Sequence, residues 1–200
     1  MPSTIPQPAA RPSLAPAKGR ILDTANELFY NEGIRSVGID RLIGASTVTK
    51  ATFYKHYGSK DRLVTEYVHN RHRLAAEHVW GLAQNHDDLE AYMRDLLRLA
   101  LEQVSLPGFR GCPFLKAASE YTDPTHPVRR AVETHREWTN FFIAELLREV
   151  GHPLPGEAAD DLTLALDGAM SGAYAGDPIA ATTALQRAFE RVMNEATKAA

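Results

Sequence analysis

Cysteine occurs once in the 200 residues, at Cys112, so no internal disulfide framework can form and a reducing compartment suits the chain. No run approaches the roughly 18 apolar residues that a membrane helix needs. The N-terminus also lacks a charged segment leading into an apolar one. Neither a membrane span nor a secretory leader is therefore expected, and the expected location is cytoplasmic. No apolar–polar alternation marks a half-buried strand. A Gly-rich phosphate loop, a nucleophile elbow and a His-Glu-x-x-His set are missing too, and with them the signatures of nucleotide, hydrolase and zinc chemistry. His69 and His72 are spaced i, i+3, but no compact ligand set accompanies them. A wet helix face is the expectation, with no metal or other cofactor.

What is present is an ordinary globular composition, 44% hydrophobic and 24% charged. The length suits one large domain, or a small one joined to a medium one. The net charge of -3 hides an asymmetry. Residues 1–60 carry eight Lys and Arg against four Asp and Glu, and the remaining residues carry fourteen against twenty-one. A basic front on an acidic body predicts an anionic partner at one end.

Residues 1–18, "MPSTIPQPAARPSLAPAK", contain five prolines and almost no large apolar side chain, and read as a flexible arm. From Gly19 the period is helical throughout. Ile21, Leu22, Ala25, Leu28 and Phe29 form one apolar stripe, ended by Gly33 with Ile34 closing over it. A short helix follows from Gly38, with Ile39, Leu42 and Ile43 as its expected buried side. Thr49 caps a third helix, Gly58 ends it, and Ser59 caps a long fourth one reaching about Gln84. Further helices are expected at Leu89–Val104, Phe114–Tyr121, from His126 or Pro127 to Gly151, Glu157–Ala175 and Pro178–Ala196. The fold class is all-α.

The third helix is the basic one. Phe53 and Tyr57, four apart, can bury toward its neighbours, which leaves Lys50, Tyr54 and Lys55 pointing elsewhere to bond phosphates. Thr49, Ala51 and Thr52 are short enough to bring the helix start near base edges. His56 can reach a phosphate or a base, and Ser59 and Lys60 begin a helix whose free N–H groups favour a phosphate oxygen. Short helices in this order are the helix-turn-helix plan, whose second motif helix enters the major groove.

The stretch "GRILDTANELFYNEGIRSVGIDRLIGASTVTKATFYKHYGSKDRLV" resembles the DNA-binding domain of the TetR family of bacterial transcriptional regulators. The resemblance covers Gly19 to about Val64 and is most specific at "TKATFYKHYGSKDRLV". It implies a homodimer gripping a palindromic operator in double-stranded DNA. It also implies a C-terminal helical domain that binds a small-molecule effector and dimerises through its last two helices. By position Lys50, Thr52, Tyr54, His56 and Lys60 match DNA-facing places, and Thr49 matches the family's serine cap. Two positions depart from the pattern: Thr47 stands where glycine is usual in the turn, and Gly38 where a hydroxyl cap is usual.

The expected division is an arm at 1–18, a helix-turn-helix domain at 19–64 and an effector-binding and dimerisation domain at 65–200. Tyr92, Phe114, Tyr121, His135, Trp138, Phe141, Met170 and Tyr174 are the candidate effector-pocket residues, with plain core as the alternative for each. Asp167 reads as a solvated or dimeric edge, or as a partner for a polar ligand group. Ala169, Gly172, Ala173, Leu185, Phe189 and Val192 are the candidate dimer interface. Cys112 reads as a small packing residue, with an oxidant sensor beside Arg110 as the alternative. The expected function is a transcriptional regulator, a repressor released by its effector. The alternatives are an all-α enzyme using Asp160, Asp161, Asp167 and the histidines, or a DNA-binding regulator controlled by a protein partner.

Overall fold

Proline has no N–H to lose in a first helical turn and its φ is already set for one, so a helix can begin at a proline as easily as end before it. In the computed structural model, which describes residues 16–199, helix α1 starts this way and spans Pro16–Glu32. The last three residues of the expected arm are thus helical, and its first fifteen lie outside the described residues. Three more helices follow: α2 at Ile39–Ser46, α3 at Lys50–Tyr57 and α4 at Lys60–Ala83. The rest are α5 at Leu89–Ser105, α6 at Pro113–Glu120, α7 at Pro127–Glu149, α8 at Pro155–Ala175 and α9 at Pro178–Ala199. No strand occurs among the described residues.

The helices gather into two compact units. One comprises 9–75, of which 16–75 are described, together with 113–134, so it joins the first helices to α6 and the start of α7. The other comprises 76–112 and 135–200, again within the described residues. The expected boundary after Val64 differs from this grouping in two ways. The first unit keeps α4 as far as Ala75, and it recruits Pro113–Thr134, a segment expected in the effector domain.

In the first unit the stripe expected on α1 is buried in full, from Ile21 to Phe29. Phe29 meets Tyr67 of α4 edge-on at 5.5 Å between ring centroids. Only Leu42 and Ser46 of α2 are buried; Ile39 and Ile43 are half-exposed, which narrows the expected face of that helix. Ser46 tolerates burial because its hydroxyl donates to the Leu42 carbonyl at 2.6 Å.

The second unit is built around α8 and α9, which pack along each other and against α5. Ala169, Leu185, Phe189 and Val192 are all buried within this single chain. Their side chains are therefore covered by helices of the same chain, whether or not a second copy packs on these helices. Gly172 likewise faces Ala181 of the same chain, and Ala173 packs beside the small cluster of Ala169, Ala181 and Leu185. A helical period reports burial, and it carries no information on which chain does the burying.

Thr47 is the only non-glycine residue at positive φ among the described residues, with φ 52° and ψ 47°. Its N–H donates to the Gly44 carbonyl and the Val48 N–H to that of Ile43, both at 3.3 Å, which closes α2 as glycine usually does. The Thr47 hydroxyl donates to the Ser46 carbonyl at 2.8 Å. The turn keeps its geometry, and the β-branched side chain bears the cost, about 1–2 kcal/mol. Thr47→Gly is expected to raise stability by about 1 kcal/mol, read as a higher urea midpoint with an unchanged slope.

Candidate nucleic-acid interface

An eight-residue helix cannot hold itself in water, so α3 depends on its caps and on two buried aromatics. The Thr49 hydroxyl oxygen accepts the Thr52 N–H at 3.1 Å and lies 2.8 Å from the Thr52 hydroxyl. Gly58, at φ 73°, closes the other end by donating its N–H to the Tyr54 carbonyl at 3.0 Å. Phe53 is fully buried and Tyr57 nearly so.

The Tyr57 hydroxyl donates to the Lys18 carbonyl on α1 at 2.9 Å. Burial, reinforced by Glu66 and Asp23, pushes this phenol well above the ordinary tyrosine range, so it stays a neutral donor. Lys18 extends its ammonium to 5.6 Å from the Tyr57 ring centroid. Arg20 of α1 donates to the Ser46 carbonyl at 3.4 Å, tying the end of α2 to the same helix.

With Phe53 and Tyr57 turned inward, the outer side of α3 is set. Thr49, Lys50, Ala51, Tyr54 and Lys55 are exposed, and Thr52 and His56 are half-exposed. Ser59 accepts the Arg62 N–H at 3.2 Å and so caps α4 with its side chain. Lys60 is half-exposed, and burial pulls its ammonium below the ordinary lysine range, against the opposing pull of Glu120 and Asp61. All nine expected DNA-facing residues therefore lie on α3 or at the two helix starts beside it. Sequence reasoning passed over Arg62, which folds back over Gly58 at the end of α3; a Cβ there would stand 3.2 Å from its Nη1. The signal was available, since Gly58 and Arg62 are four apart around a helix start.

The expected pocket residues are divided between the two units. Phe114 and Tyr121 belong to the first unit, and the other six to the second. Tyr92 is core, with its hydroxyl donating to the Val79 carbonyl at 2.9 Å. His135, Trp138 and Phe142 stack in series along α7, at 6.0 and 5.4 Å between centroids. Phe141 is exposed, Met170 is half-exposed, and Tyr174 is exposed with its ring against Gly111. Asp167 pairs with Arg136 of α7, which accounts for a carboxylate inside an apolar run. Cys112 is half-buried.

This arrangement defines a helix-turn-helix DNA-binding protein. The family model for bacterial regulatory proteins of the tetR family matches residues 21–67. A solved TetR-family transcriptional regulator from Streptomyces coelicolor is 37% identical, with a TM-score of 0.85 over 90% of this chain and 96% of that one. The transcriptional regulator LmrA of Bacillus subtilis is 25% identical over 142 residues, 70% of this chain and 75% of LmrA. An uncharacterised helix-turn-helix regulator of Mycobacterium tuberculosis is 37% identical over 57 residues, 28% of each chain. The chain belongs to the TetR family of bacterial transcriptional regulators. The enzyme alternative ends there, since these relatives are regulators.

Thr49→Ala removes the cap that organises the first turn of α3 and is expected to cost about 1 kcal/mol. Thr49→Ser should restore most of it. Both are read by thermal melts, and an unchanged melt for the alanine variant would show that the cap contributes nothing.

Proposed function

We propose that this regulator is a homodimer that represses by occupying a palindromic operator and leaves it when a small molecule binds the helical unit formed by α5, α8 and α9 with parts of α4 and α7. The observation that carries the DNA-binding half is the outer side of α3, where Lys50, Tyr54 and Lys55 stand exposed around a capped helix start. In this reading Lys50, Lys55 and Lys60 neutralise phosphates, while Thr49, Ala51, Thr52, Tyr54 and His56 face base edges and the sugar–phosphate backbone. Ser59 serves mainly by capping α4.

Dimerisation is supported by what α8 and α9 leave uncovered. Leu164 is 60% exposed and Ile179 is 79% exposed, although both lie on helices whose opposite sides are core. Gly168, Ser171 and Ala175 continue the exposed row along α8 with small side chains, which permit close helix approach. Two such recognition helices read half-sites about one DNA turn apart.

Effector binding is supported by unmet polar demand inside the second unit. Trp80 Nε1 and the Thr163 hydroxyl are buried without a hydrogen-bond partner, a state costing about 1–3 kcal/mol for each group left unpaired. Trp80 also packs against the core cluster that contains Phe142 and Leu162, with Trp138 beside it. A mainly apolar, aromatic-stacking effector carrying one acceptor suits such surroundings. Binding that favours one subunit arrangement over another would change operator affinity by the same coupling energy that DNA imposes on the effector.

Binding of the purified protein to DNA flanking its own coding region, against a random duplex and at two salt concentrations, tests the operator reading. Preference for the flanking DNA should persist at the higher salt; weak binding to both, collapsing together, would sink it. Lys50→Ala and Lys60→Ala should each weaken all duplexes alike and lessen the slope of log K against log salt by about one unit. A monomeric mass at micromolar concentration in sedimentation would end the dimer reading.

A further inference from the structure

We propose that Glu120 and Tyr121, at the end of α6, are positioning residues for DNA recognition. They fix the turn before α2 and the first turn of α4, the elements joined to either end of α3, and contact no DNA themselves.

The α1–α2 turn creates the need. After Gly33 leaves the helix at φ 90°, the N–H groups of Ile34 and Arg35 have no helical acceptor. Ile34 is almost wholly buried, so water cannot readily serve its backbone. Glu120 supplies both acceptors. Its Oε1 takes the Ile34 N–H at 3.0 Å and its Oε2 the Arg35 N–H at 2.6 Å. Arg35 answers by donating Nε and Nη2 to the main-chain oxygen of Glu120, at 3.1 and 2.5 Å. That oxygen is one of the carbonyls left free where α6 ends. A two-way exchange of charge-assisted bonds fixes position and angle together, which a single surface ion pair does not.

The neighbouring residue holds the other flank. Tyr121 donates its hydroxyl to Asp61 Oδ1 at 3.0 Å, in the first turn of α4. Its ring lies tilted against His126, 4.5 Å between centroids, and its carbonyl accepts from Arg129 at 3.3 Å, so the phenol is itself braced. One turn earlier on α6, Lys116 donates to the Tyr30 carbonyl at 2.8 Å, adding a third tie, to the end of α1. The Glu120 and Tyr121 ties line a groove of about 360 Å³, and Lys60 lines it beside Asp61 and Glu120.

The sign of one substitution separates positioning from plain electrostatics. Glu120 is an anion near Lys60, so if its influence were only coulombic, neutralising it would strengthen DNA binding. If it positions the turn, the same change weakens binding.

The test uses the full chain and a duplex selected from a random-sequence pool by the wild-type protein. Affinity is measured by fluorescence anisotropy at several salt concentrations. Glu120→Gln keeps the shape but offers one acceptor where two are needed, and should weaken the selected duplex about tenfold, the equivalent of roughly one good hydrogen bond. The salt slope and the affinity for random duplex should stay unchanged, because no phosphate contact is lost. Amide exchange at Ile34 and Arg35 should quicken in the same variant. Tyr121→Phe, which removes only a hydroxyl, should weaken the selected duplex by about threefold without altering the melt. Tighter or unaltered binding in Glu120→Gln, or equal losses on selected and random duplex, would overturn the proposal. Should Glu120→Gln fail to fold, Tyr121→Phe decides alone, and unaltered affinity there overturns it.

Discussion

The recognition helix is too short to exist by itself, and the first unit is arranged around that constraint. Eight residues give few helical hydrogen bonds against the cost of nucleation, so α3 is helical because Phe53 and Tyr57 are buried and Thr49 and Gly58 close its ends. Burying a large aromatic contributes about 1.5–3 kcal/mol, more than the caps supply. The same two side chains set the proposed DNA-facing side, since fixing them inward fixes which residues remain outward. Packing and recognition are therefore one constraint on opposite sides of a single helix. The Tyr57 hydroxyl extends it to α1 through the Lys18 carbonyl, so the orientation of α3 is tied to the start of the first helix.

Thr47 shows how firmly the turn is held. A threonine in the left-handed region is disfavoured locally, yet both hydrogen bonds that close α2 are made. Tertiary burial of Leu42 and Phe53 on either side of the turn outweighs the local preference. Gly38 is a milder case: its extended φ of -78° suits any residue, and it simply leaves α2 without a side-chain cap. Both departures from the family pattern weaken local terms and leave the geometry intact.

Much of this was legible because it rests on local rules. The caps at Thr49 and Ser59, the closing glycines and the inward pair of α3 all follow from residues within four positions of one another. The proposed dimer face and effector site were harder for an equally physical reason. The period that marks Leu185, Phe189 and Val192 as buried is the same whether the covering surface belongs to this chain or to a copy. Aromatic residues spread over four helices and the turn after α6 carry no record of which will meet, and Phe114 and Tyr121 fell in a different unit from the rest. The start of α1 is hidden in the proline-rich segment, because Pro16 serves there as a first helical residue.

The least legible feature is the membership of α6 in the DNA-binding unit. Glu120 stands 86 residues from Ile34, and nothing in "KAASEYTDP" announces a partner at that distance. Its own neighbourhood predicts an exposed glutamate at a helix end, an unfavourable place for an anion beside the negative end of the helix dipole. The structure resolves that mismatch: the Arg35 guanidinium sits on the terminal carbonyl, and the carboxylate turns to two N–H groups of another turn. A residue that offends a local rule and is satisfied only at long range binds two distant segments into one body. That is how a chain with so short a recognition helix can set its orientation from outside the helix-turn-helix itself.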